Sequence, residues 1–396
     1  MIVGLIPAHN ESEKIADSVG SAISQVDRVI VISDNSSDDT VSRARDAGAF
    51  VVESVQNHLK KAGALNQAMT ALLGLGPSHF PAWSQLADTD YLLVMDADSR
   101  VDDGFVDRAL AEFTLEGVGA VGGIFLGERG GGLIGQLQRN EYVRYARDVA
   151  RRGARARVLT GTATMMRVDV LRKVATARLE GELPGDYGVY DTIALTEDNE
   201  LTLAIKTLGF ATMSPRECIV HTEVMLTWRD LWHQRIRWQR GTLENLRQYG
   251  WTRVTAPYFL EQAVTFFGLL LMWGFVTLTI MSFVLGDAKF QPFWTSIGLI
   301  FVAERIVTVW KGGARSLMIA VPLVIEFVYG AFLQAVVMRS VSDIARGKKA
   351  DWRHATDVRP LHKPVVLQSA RASVATTTTT QSAAPDLAAA TTNGWE

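Results

Sequence analysis

The stretch Tyr91–Asp98 constrains the fold most, because it joins an apolar strand to two carboxylates. Residues 91–95 are large and mostly apolar, which is typical of a strand covered on both faces of a sheet. Asp96 and Asp98 follow two positions apart, so an extended backbone places both side chains on one face. Such a pair suits a Mg²⁺ or Mn²⁺ ion that carries a diphosphate, but an acidic turn after a strand has the same pattern.

Strands and helices alternate through the N-terminal part of the chain. Apolar runs predict strands at residues 2–6, 28–33 and 50–55, in addition to the strand before Asp96. Helices are expected from near Ser12, after a cap at Asp38 or Asp39, and from Lys60. This βαβα order predicts an α/β fold with a doubly wound, mostly parallel sheet.

Polar side chains follow three of these strands at the point where each strand ends. Residues 9–11 (His-Asn-Glu) follow the first strand, Asp34 follows the second, and Asp96 and Asp98 follow the fourth. Open parallel sheets bind ligands outside the carboxyl ends of their strands, so these three clusters are expected to converge on one edge.

Several classes of site are excluded by what the sequence lacks. There is no G-x-G-x-x-G after the first strand and no G-x-x-x-x-G-K-[ST], which argues against a dinucleotide fold and a P-loop. The net charge of -2 implies no general affinity for nucleic acid, and the single cysteine, Cys218, excludes an intramolecular disulfide and a Cys-rich zinc site. A nucleotide would therefore be held by side chains and a metal ion.

The ordered segments Pro7–Glu11, Asp34–Thr40, Lys61–Asn66 and Asp96–Asp98 together resemble those of family 2 glycosyltransferases. The resemblance implies a GT-A fold that uses a nucleotide-diphospho-sugar, by family habit UDP-linked, with Mg²⁺ or Mn²⁺. The residue roles that it implies are base and ribose contacts for Ala8, Glu11 and Asp34, a position near the sugar nucleotide for Lys61, and diphosphate binding by Asp96 and by Asp98, the latter through the metal. Taken alone, Lys61 fits a solvated helix residue better.

Two later segments resemble parts of membrane-bound members of that family. Gly161–Arg167 resembles the segment that borders the acceptor in processive enzymes, although a tight strand-to-helix turn fits it nearly as well. Thr196-Glu197-Asp198 resembles the T-E-D motif, whose Asp is the catalytic base. An inverting displacement needs one positioned carboxylate to take the proton of the acceptor hydroxyl. An acidic helix N-terminus also accounts for the motif, since it is favourable with the helix dipole.

Residues 234–241 contain a Q-x-x-R-W motif, which such enzymes place against the acceptor and the leaving diphosphate. By this resemblance Gln234 hydrogen-bonds a hydroxyl, Arg237 offers a fork of donors to phosphate, and a sugar ring stacks on Trp238. The same residues fit an amphipathic helix on a membrane surface, with Arg235 on its polar face, and both interpretations can hold together.

Three apolar segments follow, at residues 263–285, 293–310 and 317–338. Glu304, Arg305 and Glu326 lie within them and are expected either to pair with one another or to line a polymer path. Basic residues flank the third segment on both sides. The positive-inside rule then conflicts with three full crossings from a cytosolic N-terminus, so we expect two full crossings and a partly inserted third segment.

The chain is thus predicted to have four parts. These are a cytosolic catalytic domain (1–225), an amphipathic interfacial segment (226–256), an all-α transmembrane region (257–345) and a basic, then disordered, tail (346–396). No signal peptide is recognisable before the first strand, so the catalytic domain is expected to be cytoplasmic.

The expected function is that of a multi-pass membrane enzyme whose partners are a nucleotide sugar, a saccharide acceptor and the lipid bilayer. Transfer of a single sugar to a polyprenyl phosphate, a glycolipid or a protein remains the alternative, as does a non-catalytic membrane scaffold.

Overall fold

A computed structural model describes residues 1–80, 85–286, 292–322 and 324–348. The predicted disordered tail therefore lies almost wholly outside the described residues, and the division into four parts stays a prediction.

Ten strands and twelve α-helices are described in these ranges. The strands are β1 (Ile2–Ala8), β2 (Arg28–Ser33), β3 (Phe50–Glu53), β4 (Tyr91–Met95), β5 (Arg100–Val101), β6 (Val118–Gly122), β7 (Ile124–Gly127), β8 (Ala163–Arg167), β9 (Ala211–Met213) and β10 (Ile219–Thr222). The helices are α1 (Ile15–Ile23), α2 (Thr40–Asp46), α3 (Lys60–Leu73), α4 (Phe105–Glu112), α5 (Gly132–Arg151), α6 (Val168–Leu179), α7 (Glu197–Thr207), α8 (Trp228–Tyr249), α9 (Ala256–Val284), α10 (Pro292–Val309), α11 (Gly313–Ala320) and α12 (Val324–Ala345).

The central sheet has seven strands in the order β3-β2-β1-β4-β8-β6-β9, and β5, β10 and β7 form a smaller sheet. The first four strands of the large sheet are parallel, whereas β8 is antiparallel to both of its neighbours. The predicted α/β class with a mostly parallel sheet is confirmed. The antiparallel strand at Ala163–Arg167 was not predicted.

Both faces of the sheet are buried, as the apolar runs predict. Leu5 and Val94 belong to one hydrophobic cluster, and Ile6 and Leu93 belong to another. Alternate residues of one strand point to opposite faces, so the two clusters lie on opposite sides of the sheet. The carboxyl ends of β1, β2 and β4 consequently meet at one edge.

Some predicted boundaries shift because side chains or turns replace the regular backbone bonds. The first helix begins at Ile15 because a turn after Glu11 precedes it, with the Glu11 carbonyl accepting from the backbone of residues 14 and 15. The third strand ends at Glu53, and both backbone groups of Val55 bond to the Gln67 side chain instead of a neighbouring strand. Asp38, and not Asp39, accepts the hydrogen bond from the backbone of Thr40 at the start of α2.

Two of the described helices, α9 and α12, are long and apolar enough to cross a membrane. The predicted third segment is divided into α11 and α12, because Pro322 between them has no N–H to continue the helical bonds. The expected pairing among the charges of the apolar segments is present: Arg305 lies 3.5 Å from Glu304 and 3.9 Å from Glu326. Arg144 of α5 adds a 3.2 Å contact to Glu326. The number of crossings stays a prediction.

Candidate active site

Lys61 joins two of the segments that the sequence singled out. Its Nζ lies 2.5 Å from Asp96 Oδ1, at the end of β4, and 2.9 Å from Glu197 Oε1, at the start of α7. Burial opposes the charged form, but the ion pairs with Asp96 and Glu197 hold the pKa of Lys61 well above its ordinary value. Lys61 is therefore a charged bridge within the site, and its interpretation as a solvated helix residue is wrong.

Asp198 lies beside this bridge, with both carboxylate oxygens held. Oδ2 accepts from the backbone N–H of Gly161 at 3.0 Å, and Oδ1 accepts from the backbone N–H of Asn199 at 2.7 Å. Burial, followed by the charge of Glu197, raises the pKa of Asp198 to about 6, although Lys61 opposes the shift. A fixed carboxylate that titrates near neutrality is suited to exchange a proton with a bound hydroxyl.

Gly161 lines the same pocket as Lys61, Glu197 and Asp198. A Cβ at this position would stand 3.0 Å from Lys61 Nζ, 3.4 Å from Asp96 Oδ2 and 3.6 Å from Asp198 Oδ2. Glycine therefore leaves the space between these three charged groups open.

Gly161→Ala is expected to lower kcat/KM for the reaction catalysed at this candidate site by about tenfold, because the methyl group displaces Lys61 and narrows the space between Lys61, Asp96 and Asp198. Steady-state kinetics and a melting curve measure the effect. Gly20→Ala is the matched control, since a Cβ in this helical position meets nothing within 4 Å and should leave kinetics unchanged. Equal activity of both variants would show that the open space has no role.

The residues predicted to face a base and ribose lie where β1 and β2 end. Ala8 is the last residue of β1, and its carbonyl accepts from the backbone N–H of Asp34 at 2.8 Å. Asp34 Oδ1 accepts from Ser54 Oγ at 2.7 Å, which leaves Oδ2 without a hydrogen bond among the described residues. Glu11 follows on the same edge. The structure thus brings Ala8, Glu11 and Asp34 to one loop cluster beside Asp96 and Asp98.

A divalent cation fits the chemistry of this edge. Burial raises the pKa of Asp98 to about 6, with Asp96 adding repulsion. The pKa of Glu11 is raised to about 7. Burial is the largest cause, and repulsion from the charges of Asp98, Glu223 and Asp96 adds to it. Carboxylates that repel one another in this way favour a bound cation. Within the described ranges, no group of three or more His, Cys, Asp or Glu side chains is arranged to hold a metal ion.

Glu223 is a member of this acidic edge that the sequence did not reveal. It directly follows β10, and Lys14 Nζ contacts it at 3.0 Å and Glu128 at 3.3 Å. Its position after a short strand is the same signal that revealed Asp96, but β10 is too short for its apolar pattern to stand out.

The Q-x-x-R-W motif lies on α8, which packs against the start of α7. A Cβ on Gly241 would stand 2.4 Å from Thr196 Oγ1, so only glycine permits this close approach. Asn245 Nδ2 also donates to the Thr196 carbonyl at 3.3 Å. The charge of Arg237 contributes to the lowered pKa of Glu197, so Arg237 lies within electrostatic range of the T-E-D motif.

Arg235 does not lie on an exposed polar face of α8, where the amphipathic pattern predicts it. It is 5% exposed, its guanidinium lies 4.2 Å from the centre of the Trp238 ring, and Nη1 donates to Gln234 at 2.7 Å. Its Nη2 contacts Glu141 of α5 at 3.0 Å, and Glu141 also accepts from Tyr329 of α12 at 2.7 Å. Arg235 is buried because it links α8 to α5 and, through Glu141, to α12. It also contacts Gln234 and Trp238 of the motif and so holds both side chains in position.

Known proteins are similar to this chain in sequence and in fold. The family described as "Glycosyltransferase like family 2" matches residues 2–241. A poly-beta-1,6-N-acetyl-D-glucosamine synthase of Staphylococcus aureus is 26% identical over 252 residues, which are 62% of this chain and 55% of the relative. The chain therefore spans about half the length of the curated relatives that it matches.

A solved structure has the same fold over most of its length. The mannosyltransferase PcManGT from Pyrobaculum calidifontis, in complex with GDP-Man and Mn²⁺, matches with a TM-score of 0.53 and 17% identity. The match covers 86% of this chain and 87% of that one, and it shows the fold alone. The family match over residues 2–241 and the architecture agree: the chain belongs to glycosyltransferase family 2 and is a glycosyltransferase with a GT-A-like α/β fold.

Proposed function

We propose that this enzyme is a metal-assisted, inverting glycosyltransferase that transfers a sugar from a UDP-sugar to a saccharide hydroxyl. The contact of Lys61 with both Asp96 and Glu197 carries the proposal. This contact joins Asp96 and the T-E-D motif in one charged cluster beside Asp198, which supports a donor at Asp96 and a base at Asp198.

The donor occupies the edge where β1, β2 and β4 end. Ala8, Glu11 and Asp34 contact the base and ribose, since a carboxylate accepts hydrogen bonds from base N–H groups and ribose hydroxyls. Asp98 would hold the Mg²⁺ or Mn²⁺ ion, and Asp96 would bind the diphosphate. The ion supplies positive charge to the diphosphate when it is bound. The solved complex of PcManGT with GDP-Man and Mn²⁺ supports a nucleotide sugar with a divalent ion.

Asp198 is the base in this mechanism. The acceptor oxygen forms a bond to the anomeric carbon as the bond from that carbon to the diphosphate oxygen breaks. The hydroxyl proton passes to Asp198, and the nucleoside diphosphate leaves with the bonding electron pair. The two backbone N–H groups that hold Asp198 fix its direction, which is what proton transfer requires.

The acceptor lies between α8 and the segment before β8. Gly161 leaves room for the acceptor, and Glu197 holds Lys61 in position through their ion pair. Gln234 forms a hydrogen bond with an acceptor hydroxyl, and a sugar ring stacks on Trp238. Arg237 offers its guanidinium to the leaving diphosphate.

We further propose a multi-pass membrane enzyme with its catalytic domain in the cytoplasm. The two long apolar helices support this placement. The Staphylococcus relative is named for a polymer of N-acetylglucosamine, so UDP-N-acetylglucosamine is the first donor to test and polysaccharide the first product.

The test is a screen of nucleotide sugars with purified full-length protein in detergent, in the presence of Mg²⁺ or Mn²⁺, followed by product mass. UDP-N-acetylglucosamine is expected to be consumed. GDP-mannose is included to test whether the enzyme accepts a donor with a different nucleotide. A ladder of products indicates polymer synthesis, whereas one product indicates single transfer. Sugar transfer that continues after divalent metal is chelated would show that the reaction needs no metal ion. If no donor is consumed, the alternative of a non-catalytic membrane scaffold is favoured.

The raised pKa of Asp198 predicts a pH dependence. The base must be ionised, so kcat/KM should fall about tenfold per pH unit as pH drops below about 6. Rates measured from about pH 5 to about pH 8 at saturating Mg²⁺ test this, because the bound ion keeps the donor-side carboxylates ionised. Asp198→Glu is expected to shift the pH range over which kcat/KM falls, which is the acidic limb of the pH profile. A limb that stays in place in this variant would assign the titration to another group.

A further inference from the structure

A groove lies apart from the site, between the start of α5 and α11. Its volume is about 390 Å³, and its lining includes Gly130, Leu133 and Arg139 on one side and Arg315 and Met318 on the other. None of the residues in this lining has a role in the proposed transfer reaction.

The wall of the groove is a fixed loop. Gly130, Gly131 and Gly132 have φ values of +127°, +66° and +52°, a conformation that glycine adopts without strain. Arg139 Nη1 donates to the carbonyls of Glu128 and Gly130 at 2.8 and 3.0 Å. Arg139 thus holds the loop in place, and its guanidinium group lines the groove.

Two positive charges face this space without a carboxylate between them. Among the described residues, neither Arg139 nor Arg315 forms an ion pair, and Arg315 forms no side-chain hydrogen bond. Burial lowers the pKa of Arg139, and the charge of Arg315 lowers it further. An anion between the two guanidinium groups would relieve their repulsion. It would accept hydrogen bonds chiefly from Arg315, because Arg139 already donates from Nη1 to two carbonyls and from Nε and Nη2 to Gln136 Oε1 at 3.2 and 3.1 Å.

The rim of the groove is apolar and exposed. Leu133 is 50% exposed and Met318 is 73% exposed, and both line the groove together with Arg139 and Arg315. The candidate membrane helix α12 begins at Val324, only a few residues after α11 ends. Exposed apolar side chains beside two cations match a ligand that carries both an anionic head and an acyl chain.

We propose that this groove binds the headgroup phosphate of an anionic membrane phospholipid, with the acyl chains along Leu133 and Met318. This inference rests on the proposed membrane location but not on the transfer reaction. The lipid would attach α5, which also carries Glu141 and Arg144, to the bilayer at a fixed position. A zwitterionic lipid has no net charge to balance the two arginines and would bind more weakly.

The experiment titrates the full-length protein in neutral detergent with phosphatidylglycerol or with phosphatidylcholine, and native mass spectrometry counts bound lipid. Phosphatidylglycerol is expected to bind more tightly, and Arg315→Gln should weaken its binding about fivefold. Arg315→Lys should restore most of it. Arg315 is exposed and holds no described contact, so these variants are expected to fold normally.

Arg346→Gln is the matched control, because Arg346 is also exposed but lies beyond the end of α12. Equal affinity for the two lipids, or equal losses in the Arg315 and Arg346 variants, would overturn the proposal. Displacement of the lipid by inorganic phosphate at equal concentration would identify a soluble anion as the ligand and would also overturn it. Lipid binding is measured without donor, so its outcome is independent of whether the proposed transfer is found.

Discussion

Asp198→Asn is expected to lower kcat for sugar transfer by about 10²- to 10⁴-fold, because the amide cannot take the proton of the acceptor hydroxyl. The structure gives the substitution a defined side effect. Both oxygens of Asp198 accept backbone hydrogen bonds, whereas Asn has one acceptor oxygen and an NH₂ group. One of these bonds is therefore lost, at a cost of about 1 kcal/mol in the free energy of unfolding.

Three measurements separate the chemical role from the structural one. These are kcat with the natural acceptor, the donor dissociation constant by calorimetry, and a melting curve. Loss of kcat with donor binding retained supports the base. Asp186→Asn is the matched control, since Asp186 is exposed, and it should leave all three unchanged. Full transfer by Asp198→Asn would remove Asp198 from the assigned role.

The convergence of Asp34, Asp96 and Asp98 on one edge of the sheet could be predicted from sequence because its signals are local. Each apolar run specifies a buried strand, and a parallel sheet brings the ends of such strands together. Asp34, Asp96 and Asp98 therefore follow from pattern alone. The antiparallel β8 does not, because the strand Ala163–Arg167 is short and its direction depends on pairing with both β4 and β6.

Contacts between distant segments could not be predicted in the same way. Lys61 is one of two adjacent lysines at the start of a helix, and only the fold shows that it meets Asp96 and Glu197. Arg235 alternates with apolar residues as a surface residue would, yet its burial depends on Glu141, which lies far away in sequence. The sequence specifies the charge that each residue carries, and the tertiary packing decides which partner it meets.

Arg178 and Glu200 form a fully buried ion pair behind the site. Arg178 Nη2 lies 2.5 Å from Glu200 Oε2, and both side chains are 0% exposed. Tyr249 donates to the other Glu200 oxygen at 2.5 Å, which extends the network to α8. Burial raises the pKa of Glu200, although Arg178 and the hydrogen bonds oppose the shift. Glu200 lies on α7 two residues after Asp198, so this network supports the helix that carries the candidate base.

Arg178→Met is expected to lower the free energy of unfolding by about 3–5 kcal/mol, because it leaves the Glu200 charge buried without its partner. The double variant Arg178→Met/Glu200→Leu should lose less than Arg178→Met alone, since it removes both charges together. Thermal or urea unfolding of the three proteins in one detergent measures this difference. Lys173→Met is the control on the same helix: its side chain is 57% exposed and pairs with Asp169, so a change of at most about 0.5 kcal/mol is expected. A double variant that is less stable than Arg178→Met would show that Glu200 stabilises α7 through Tyr249 rather than through the ion pair.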